Sequence, residues 1–241
     1  MTTTAQQPAA KASKSKTPFK RSLAKRLWYR FMRVFLRLGA VAIYRLRWWG
    51  REHIPATGGV LILSNHQSHI DPPLLGLCID RRINYLARDT LFRFPPFRWL
   101  INSLDAIPID REGLGLAGLK ETLKRLKRGE LVLIFPEGTR SPDGEVAPLK
   151  PGFSALARRA GVPLLPVAID GAYQAWPRQQ KYPGRGVIHV QFGPPLWPEE
   201  LDQYDERELV EEVERRIRDC HAAARRHRKQ CRLGASRSNE S

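Results

Sequence analysis

Residues 59–71 read GVLILSNHQSHID, an apolar run followed directly by a polar segment with two histidines and an aspartate. The run Gly59–Ser64 is short and uncharged, which predicts a buried β-strand. Asp71 precedes Pro72 and Pro73, a pattern typical of a helix that begins at an N-cap aspartate. The stretch therefore predicts a strand, a loop and a helix, which is the repeating unit of an α/β fold.

The rest of the chain alternates between strand-like and helix-like segments in the same way. Strands are predicted at 83–87, 106–109, 131–135, 164–169 and 187–192, and helices at 116–126, 153–160 and 207–226. This alternation predicts a single α/β domain with a mixed, largely parallel central sheet flanked by helices. We place the domain at 48–204, followed by a C-terminal helix at 205–229 and a basic tail at 230–241.

The positive charge of the chain is concentrated at its two ends. The formal net charge is +17, yet residues 52–219 hold 22 basic and 23 acidic side chains. Residues 1–51 contain 13 Lys or Arg and no Asp or Glu. Basic ends on a neutral domain favour a polyanionic partner, either a membrane surface or a nucleic acid. Because the domain does not interleave basic side chains with exposed aromatics, we expect no nucleic-acid partner.

Residues 20–47 predict an N-terminal amphipathic helix. At 100° per residue, one of its faces carries a row of arginines: Arg26, Arg30, Arg33 and Arg37. The opposite face is apolar, a pattern typical of a helix that lies in a membrane interface with its basic residues near anionic lipid. The alternative is that the apolar side packs on the protein core and the arginines face water. Residues 1–19 have no hydrophobic pattern, which predicts a disordered basic tail.

Cysteine spacing and hydropathy bear on the compartment of the protein. The three cysteines, Cys78, Cys220 and Cys231, form no C-x-x-C pair. That spacing argues against a disulfide framework and a zinc site, and it favours a reducing cytosol. No apolar run approaches the roughly 20 residues of a spanning helix. We therefore expect a peripheral or monotopic protein on the cytoplasmic face of a membrane, without a bound metal.

The segment after the first predicted strand could act as a base. Ligands in open α/β sheets bind beyond the strand ends, and His66 and Asp71 both lie there. A carboxylate bound to one imidazole nitrogen supports a proton taken up at the other. His69 is a competing base. The interpretation without catalysis is that Asp71 only caps the helix and His66 only satisfies the loop backbone.

Arg111 ends a second polar segment, IPIDR at 107–111. Its planar guanidinium could bind two phosphate oxygens, or it could simply pair with a neighbouring carboxylate. The glycines that follow, Gly113, Gly115 and Gly118, match a dinucleotide-binding spacing. Three charged residues separate the predicted strand from the first of these glycines, so the tight turn is displaced and we do not expect a nucleotide site.

The third polar segment, FPEGTRS at 135–141, offers groups suited to an anion. A glycine permits a tight turn, hydroxyl and guanidinium groups can donate hydrogen bonds, and a glutamate could bind a ligand hydroxyl or hold an arginine. The candidate residues are Glu137, Gly138, Thr139 and Arg140. The alternative is an ordinary polar loop with an internal Glu–Arg pair.

Together these segments resemble the glycerolipid acyltransferase family, in particular its bacterial, PlsC-like 1-acylglycerol-3-phosphate acyltransferases. NHQSHID at 65–71 is similar to the His-x4-Asp motif, AIPIDR at 106–111 to the second motif, FPEGTRS at 135–141 to the third and VPLLPV at 162–167 to the fourth. The second motif departs from the family pattern, because Asp105 stands where glycine is usual.

The resemblance implies transfer of a fatty acyl group from acyl-CoA or an acyl carrier protein to the free hydroxyl of lysophosphatidate, with an anionic membrane as the partner surface. It implies His66 as general base, Asp71 as its partner, no covalent acyl-enzyme and no cofactor besides the thioester. Another lysolipid, such as a lyso-ornithine lipid or a lysophospholipid, is the alternative acceptor. The substrate-binding residues that it implies are Arg111, Glu137, Gly138, Thr139 and Arg140.

Overall fold

The computed structural model describes residues 23–88, 107–109 and 116–237 of the 241-residue chain. The strands in these ranges are β1 (Arg47–Trp49), β2 (Val60–Ser64), β3 (Ile83–Arg88), β4 (Ile107–Ile109), β5 (Leu131–Ile134), β6 (Leu164–Asp170) and β7 (His189–Phe192). They form one sheet in the order β1-β7-β6-β2-β5-β3-β4. The strands from β6 to β4 are parallel, whereas β7 is antiparallel to β6 and β1 is parallel to β7. The predicted mixed, largely parallel sheet is confirmed.

Helices cover both faces of this sheet. They are α1 (Leu23–Tyr44), α2 (Asp71–Cys78), α3 (Leu116–Lys127), α4 (Gly152–Ala160), α5 (Ala172–Ala175), α6 (Pro198–Leu201) and α7 (Glu206–Arg237). One face packs Val60 and Ile62 against α1 and α2, and the other packs Leu61 and Leu63 against α3, α4 and α7. Because side chains alternate along a strand, the unbroken apolar run of β2 supplies both layers and is wholly buried.

Two arginines of the predicted basic face of α1, Arg33 and Arg37, lie against the protein, which differs from the expectation that these arginines contact lipid. Arg33 and Arg37 form ion pairs with Asp80 at 3.1 and 3.6 Å, and only 15% and 25% of their side chains is exposed. The opposite face is open, with large apolar side chains that are 40–64% exposed: Phe31, Val34, Phe35, Leu36, Leu38, Val41 and Ile43. The alternative, in which this stripe packs on the core, is therefore wrong for these residues.

The N-terminal boundary of the domain also differs from the sequence prediction. Helix α1 ends at Tyr44, since Arg45 takes a φ of 44° that does not continue a right-handed helix. The last residue of the predicted helix, Arg47, instead begins β1 and pairs with His189 on β7. The tail predicted at 1–19 lies outside the described residues.

The C-terminal helix is longer than predicted. Helix α7 continues to Arg237, so most of the predicted tail at 230–241 is helical. The short helices α5 and α6 were not predicted, because four residues are too few for a helical period to show. Among the helices that the structure describes, none is both long and apolar enough to cross a membrane.

Candidate active site

The first and third polar segments identified in the sequence, at 65–71 and 135–141, meet where β2 and β5 end, next to the end of β6. These strands are adjacent and parallel, so their carboxyl ends lie at one edge of the sheet. Asn65, directly after β2, is fixed to β6: its amide nitrogen donates to the carbonyl of Ile169 at 2.9 Å, and its Oδ1 accepts from the Ile169 N–H at 2.8 Å. The loop that follows Asn65 therefore starts from a rigid position.

His66 and Asp71 are brought together by this loop. Nδ1 of His66 lies 2.8 Å from Oδ2 of Asp71, and the same oxygen accepts from the backbone N–H groups of Gln67 at 2.6 Å and Ser68 at 2.7 Å. Asp71 is fully buried, at the first residue of α2. Its carboxylate accepts from amides that precede the helix, so Asp71 is not the N-cap that the sequence predicted; that position is Ile70.

The imidazole of His66 is held by two contacts and remains partly open. The Asp71 carboxylate accepts the Nδ1 proton, which leaves Nε2 as the acceptor nitrogen. The ring stacks on Phe135, with 4.0 Å between the ring centroids and 18° between the planes. Of the His66 side chain, 19% is exposed. The competing residue His69 is exposed and packs near Trp176, while the carboxylate of Asp71 is engaged by the other histidine.

The FPEGTRS turn clamps the backbone of His66. Oε1 of Glu137 accepts from the His66 N–H at 3.0 Å, and the N–H of Ser141 donates to the His66 carbonyl at 2.7 Å. Burial raises the pKa of Glu137 to about 7, although the backbone amides of His66 and Ala147 oppose the shift. In this structure the carboxylate of Glu137 thus positions the backbone of His66, and its contact with a ligand hydroxyl stays a prediction.

The remaining residues of this turn offer hydrogen-bond donors to a ligand. Gly138 has a φ of 74°, and Lys150 lies so close over it that a Cβ there would be 2.9 Å from Nζ. Thr139 is exposed, and Arg140 is partly exposed. Although part of the His69 side chain is exposed, partial desolvation of its ring lowers its pKa, and the nearby charge of Arg140 lowers it further. Two cations therefore flank the turn, and Lys150 is one that the motif search missed.

Arg111, the other residue expected to bind phosphate, lies outside the described residues. No group of three or more His, Cys, Asp and Glu side chains within ranges 23–88, 107–109 and 116–237 is arranged to hold a metal. The described part of the site therefore consists of a histidine–carboxylate pair beside a turn with two cations.

Comparison with known proteins agrees with this arrangement. Residues 45–170, which contain both the histidine–carboxylate pair and the FPEGTRS turn, match the family model described as Acyltransferase. This chain belongs to the acyltransferase family. The resemblance inferred from the ordered motifs is thereby confirmed.

Two bacterial members of the acyltransferase family carry the name 1-acyl-sn-glycerol-3-phosphate acyltransferase. The protein from Pseudomonas aeruginosa is 40% identical over 178 residues, which are 71% of this chain and 66% of that protein. The protein from Bacillus subtilis is 36% identical over 142 residues, which are 58% of this chain and 68% of that protein. The match thus spans about two thirds of the length of each relative.

A solved acyltransferase shares the fold. The crystal structure of the 1-acyl-sn-glycerophosphate (LPA) acyltransferase PlsC from Thermotoga maritima matches with a TM-score of 0.70 and 28% sequence identity. The match covers 81% of this chain and 79% of that chain. The likeness therefore extends well beyond the residues that match the family model.

A second polar network holds the active-site loop of this acyltransferase through Gln67, the residue after His66. The buried amide of Gln67 donates to the carbonyl of Gly144 at 2.6 Å and accepts from the N–H of Tyr173 at 3.2 Å. Its nitrogen also lies 3.1 Å from Nε2 of His221, a buried residue on α7. The residue next to His66 is therefore anchored to the C-terminal helix.

His221 connects this anchor to a buried ion pair. Its Nε2 lies 3.4 Å from Oδ1 of Asp170, and Asp170 also pairs with Arg228. Burial alone would raise the pKa of Asp170, but hydrogen bonds from His221 and Arg228 outweigh it and hold the pKa at about 2. Sequence reasoning missed this network, because Gln67 and His221 are 154 positions apart. A lone histidine on the inward face of a helix gives no signal of its partner.

Proposed function

We propose that this acyltransferase moves a fatty acyl group from a thioester to the free hydroxyl of 1-acyl-glycerol-3-phosphate, lysophosphatidate, and so forms phosphatidate. The observation that carries the proposal is the 2.8 Å contact between His66 and a buried carboxylate, beside a turn with two cations. The names of the relatives from Pseudomonas aeruginosa, Bacillus subtilis and Thermotoga maritima support this acceptor.

His66 acts as the general base in this mechanism. Its Nε2 takes the proton of the acceptor hydroxyl as that oxygen attacks the thioester carbonyl. The ester C–O bond forms and the C–S bond breaks. The departing thiolate then takes up the proton from the imidazolium. Asp71 stabilises the imidazolium between these steps. General-base assistance of this kind contributes roughly 10²–10⁴-fold to a rate, and no acyl-enzyme is needed.

The FPEGTRS turn binds the phosphate of the acceptor. Arg140 supplies a planar guanidinium, Thr139 a hydroxyl donor and Lys150 a point charge, which together match the oxygens of a phosphate monoester. We assign Arg111 to the same phosphate on the basis of its motif. Gly138 contributes by its shape, because a side chain at this position would displace the ammonium group of Lys150.

The open face of α1 brings the site to its lipid substrate. The phenyl side chains of Phe31 and Phe35 are more than 60% exposed, and the ion pairs of Arg33 and Arg37 with Asp80 fix which face of the helix points outward. An apolar helical face of this kind buries itself in the headgroup region of a bilayer. Since residues 1–51 contain 13 Lys or Arg and no Asp or Glu, an anionic surface such as the cytoplasmic face of a membrane suits this helix best.

The acceptor is tested with a panel of lysolipids. The purified protein, one labelled acyl thioester and either lysophosphatidate, lyso-ornithine lipid or lysophosphatidylcholine are incubated, and products are identified by mass. We expect phosphatidate as the main product. A faster reaction with an acceptor that lacks a phosphate monoester would contradict the proposal.

Membrane docking is tested separately by flotation with anionic vesicles. Phe31→Glu with Phe35→Glu should abolish flotation, because it places two charges in the apolar face that enters the bilayer. The matched control is Tyr182→Glu with Trp197→Glu, which alters two aromatic residues that are 67% and 48% exposed outside α1. Equal loss with both double variants would show that α1 is not the docking element.

A further inference from the structure

A basic groove lies along helix α7 beside the active-site loop. It has a volume of about 520 Å³. Its charged lining consists of four cations and one carboxylate: Arg218, Arg225, Arg226, Lys229 and Glu145. His221 also lines it, and this is the buried residue that contacts Gln67 next to His66. The groove is therefore one side chain removed from the loop that holds the proposed base.

Two of the four cations are already compensated and two are not. Arg218 pairs with Glu214 at 2.7 Å, and Arg225 pairs with Glu145 at 2.6 Å. Arg226 and Lys229 are exposed, and no carboxylate of the described residues lies within 4.0 Å of either. The groove thus presents net positive charge that an external anion could neutralise.

The cations form a row rather than a cluster. With a rise of 1.5 Å per residue, the helix positions from Arg218 to Lys229 span about 16 Å. A single phosphate group would engage only part of such a row. A row of carboxylates along the surface of an acidic protein matches its length and its charge, and charge complementarity of this kind speeds and orients encounter.

The groove also lies on the side of the molecule from which a water-soluble substrate can arrive. Helix α1, with its open apolar stripe, packs with α2 on one face of the sheet, whereas α7 packs on the other. A lipid acceptor taken from a membrane by the α1 side therefore leaves the α7 side to the second substrate, the acyl thioester.

We propose that the α7 groove is the docking surface for an acidic carrier protein that bears the acyl group as a thioester. The inference rests on the proposed function, since it identifies the partner that supplies that reaction. Docking at this groove delivers the thioester next to the loop of His66, while the carboxylates of the carrier pair with Arg226 and Lys229.

The test compares two double charge reversals. Arg226→Glu with Lys229→Glu reverses the uncompensated cations of the groove. The matched control is Arg159→Glu with Lys127→Glu, which makes the same chemical change at exposed positions near the ends of α4 and α3. These helices end just before β6 and β5 begin, so the control residues lie at the opposite edge of the sheet.

Steady-state transfer to lysophosphatidate in detergent is measured with an acyl carrier protein and with acyl-CoA as donors. We expect the groove variant to raise the KM for the acyl carrier protein by about tenfold or more, since two like-charge contacts replace two attractive ones. The KM for acyl-CoA, the KM for the acceptor and kcat at saturation should not change. High salt should reduce the difference from the unaltered protein, because it screens exposed charges.

Several results would overturn the inference and leave the proposed function standing. They are an unchanged KM for the carrier protein, an equal rise in the control variant, a rise with acyl-CoA equal to that with the carrier, or a protein that uses acyl-CoA alone. If the unaltered protein forms no phosphatidate with either donor, the proposed function fails instead. Fluorescence anisotropy with labelled acyl carrier protein then still decides whether the groove binds it.

Discussion

Two histidine–aspartate pairs lie at the same edge of the sheet, and they differ in what surrounds the imidazole. Asp71 is buried and binds His66, whose side chain is 19% exposed. Asp170 is buried and lies against His221, whose side chain is 6% exposed. Gln67 and Asp170 both contact Nε2 of His221, whereas Asp71 contacts Nδ1 of His66 and no described residue hydrogen-bonds to its Nε2. The two pairs thus differ in which ring nitrogen is engaged and in how far the imidazole is exposed, and the more exposed His66 is the one whose Nε2 a substrate can reach.

The largest effect should come from removing the open histidine. His66→Ala should lower kcat by about 10²–10⁴-fold, because the base is lost, while the melting temperature stays close to that of the unaltered protein. Transfer from a labelled thioester and a thermal melt measure the two quantities. The matched control is His69→Ala, three positions away and exposed, which should leave kcat nearly unchanged. Comparable losses in both variants would remove the distinction between these histidines.

Breaking the pair of Asp170 and His221 should lower the stability of the protein rather than its kcat. Asp170→Asn leaves the buried guanidinium of Arg228 without its counter-charge, which costs about 3–5 kcal/mol of the free energy of unfolding. Denaturant titration measures this loss. At temperatures where the variant is folded, kcat should change far less than in His66→Ala. A drop in kcat without a drop in stability would place the second pair in the reaction itself.

A smaller effect is expected from removing His221, which joins the two pairs through its contact with Gln67. His221→Ala removes the contacts with Gln67 and Asp170 and leaves these buried polar groups one hydrogen bond short, at a cost of about 1–3 kcal/mol. We expect kcat with acyl-CoA to fall about tenfold, because the loop of His66 loses its anchor on α7, while both KM values stay unchanged. If both KM values rise and kcat does not fall, the anchor does not position the base.

The last effect concerns the pH dependence of stability. The pKa of Glu137 is raised from 4.5 to about 7, so the folded state holds the proton more tightly than the unfolded state. Its contribution is therefore fully favourable below pH 4.5 and is lost as the pH rises to about 7. Glu137→Gln keeps an acceptor for the His66 N–H and should flatten this decline. Denaturant titrations at several pH values compare the slopes, and equal slopes would contradict the assignment.

Much of the fold could be predicted from local patterns. The strands β2, β5 and β6 are continuous apolar runs, which is how strands buried on both faces look in a sequence. Strand β1 could not be predicted, because the three residues Arg47–Trp49 become a strand only through pairing with β7. A local pattern cannot contain a partner that lies some 140 positions away.

The candidate site also has a part that local sequence predicts and a part that depends on distant residues. His66 and Asp71 lie five positions apart in one loop, so their contact could be predicted from chemistry and spacing. The anchor formed by His221 joins residues of distant elements, and no spacing rule relates them. For α1 the sequence established two faces but not which one turns inward, since that depends on Asp80, more than 40 positions downstream of both arginines that it binds.

The stripe of phenylalanines and leucines on α1 has a practical consequence for work in aqueous buffer. Large hydrocarbon patches in contact with water favour association between molecules. Without detergent or lipid, copies of the enzyme should associate through these helices, and the sedimentation coefficient should depend on protein concentration. Adding a mild surfactant should restore dispersed particles.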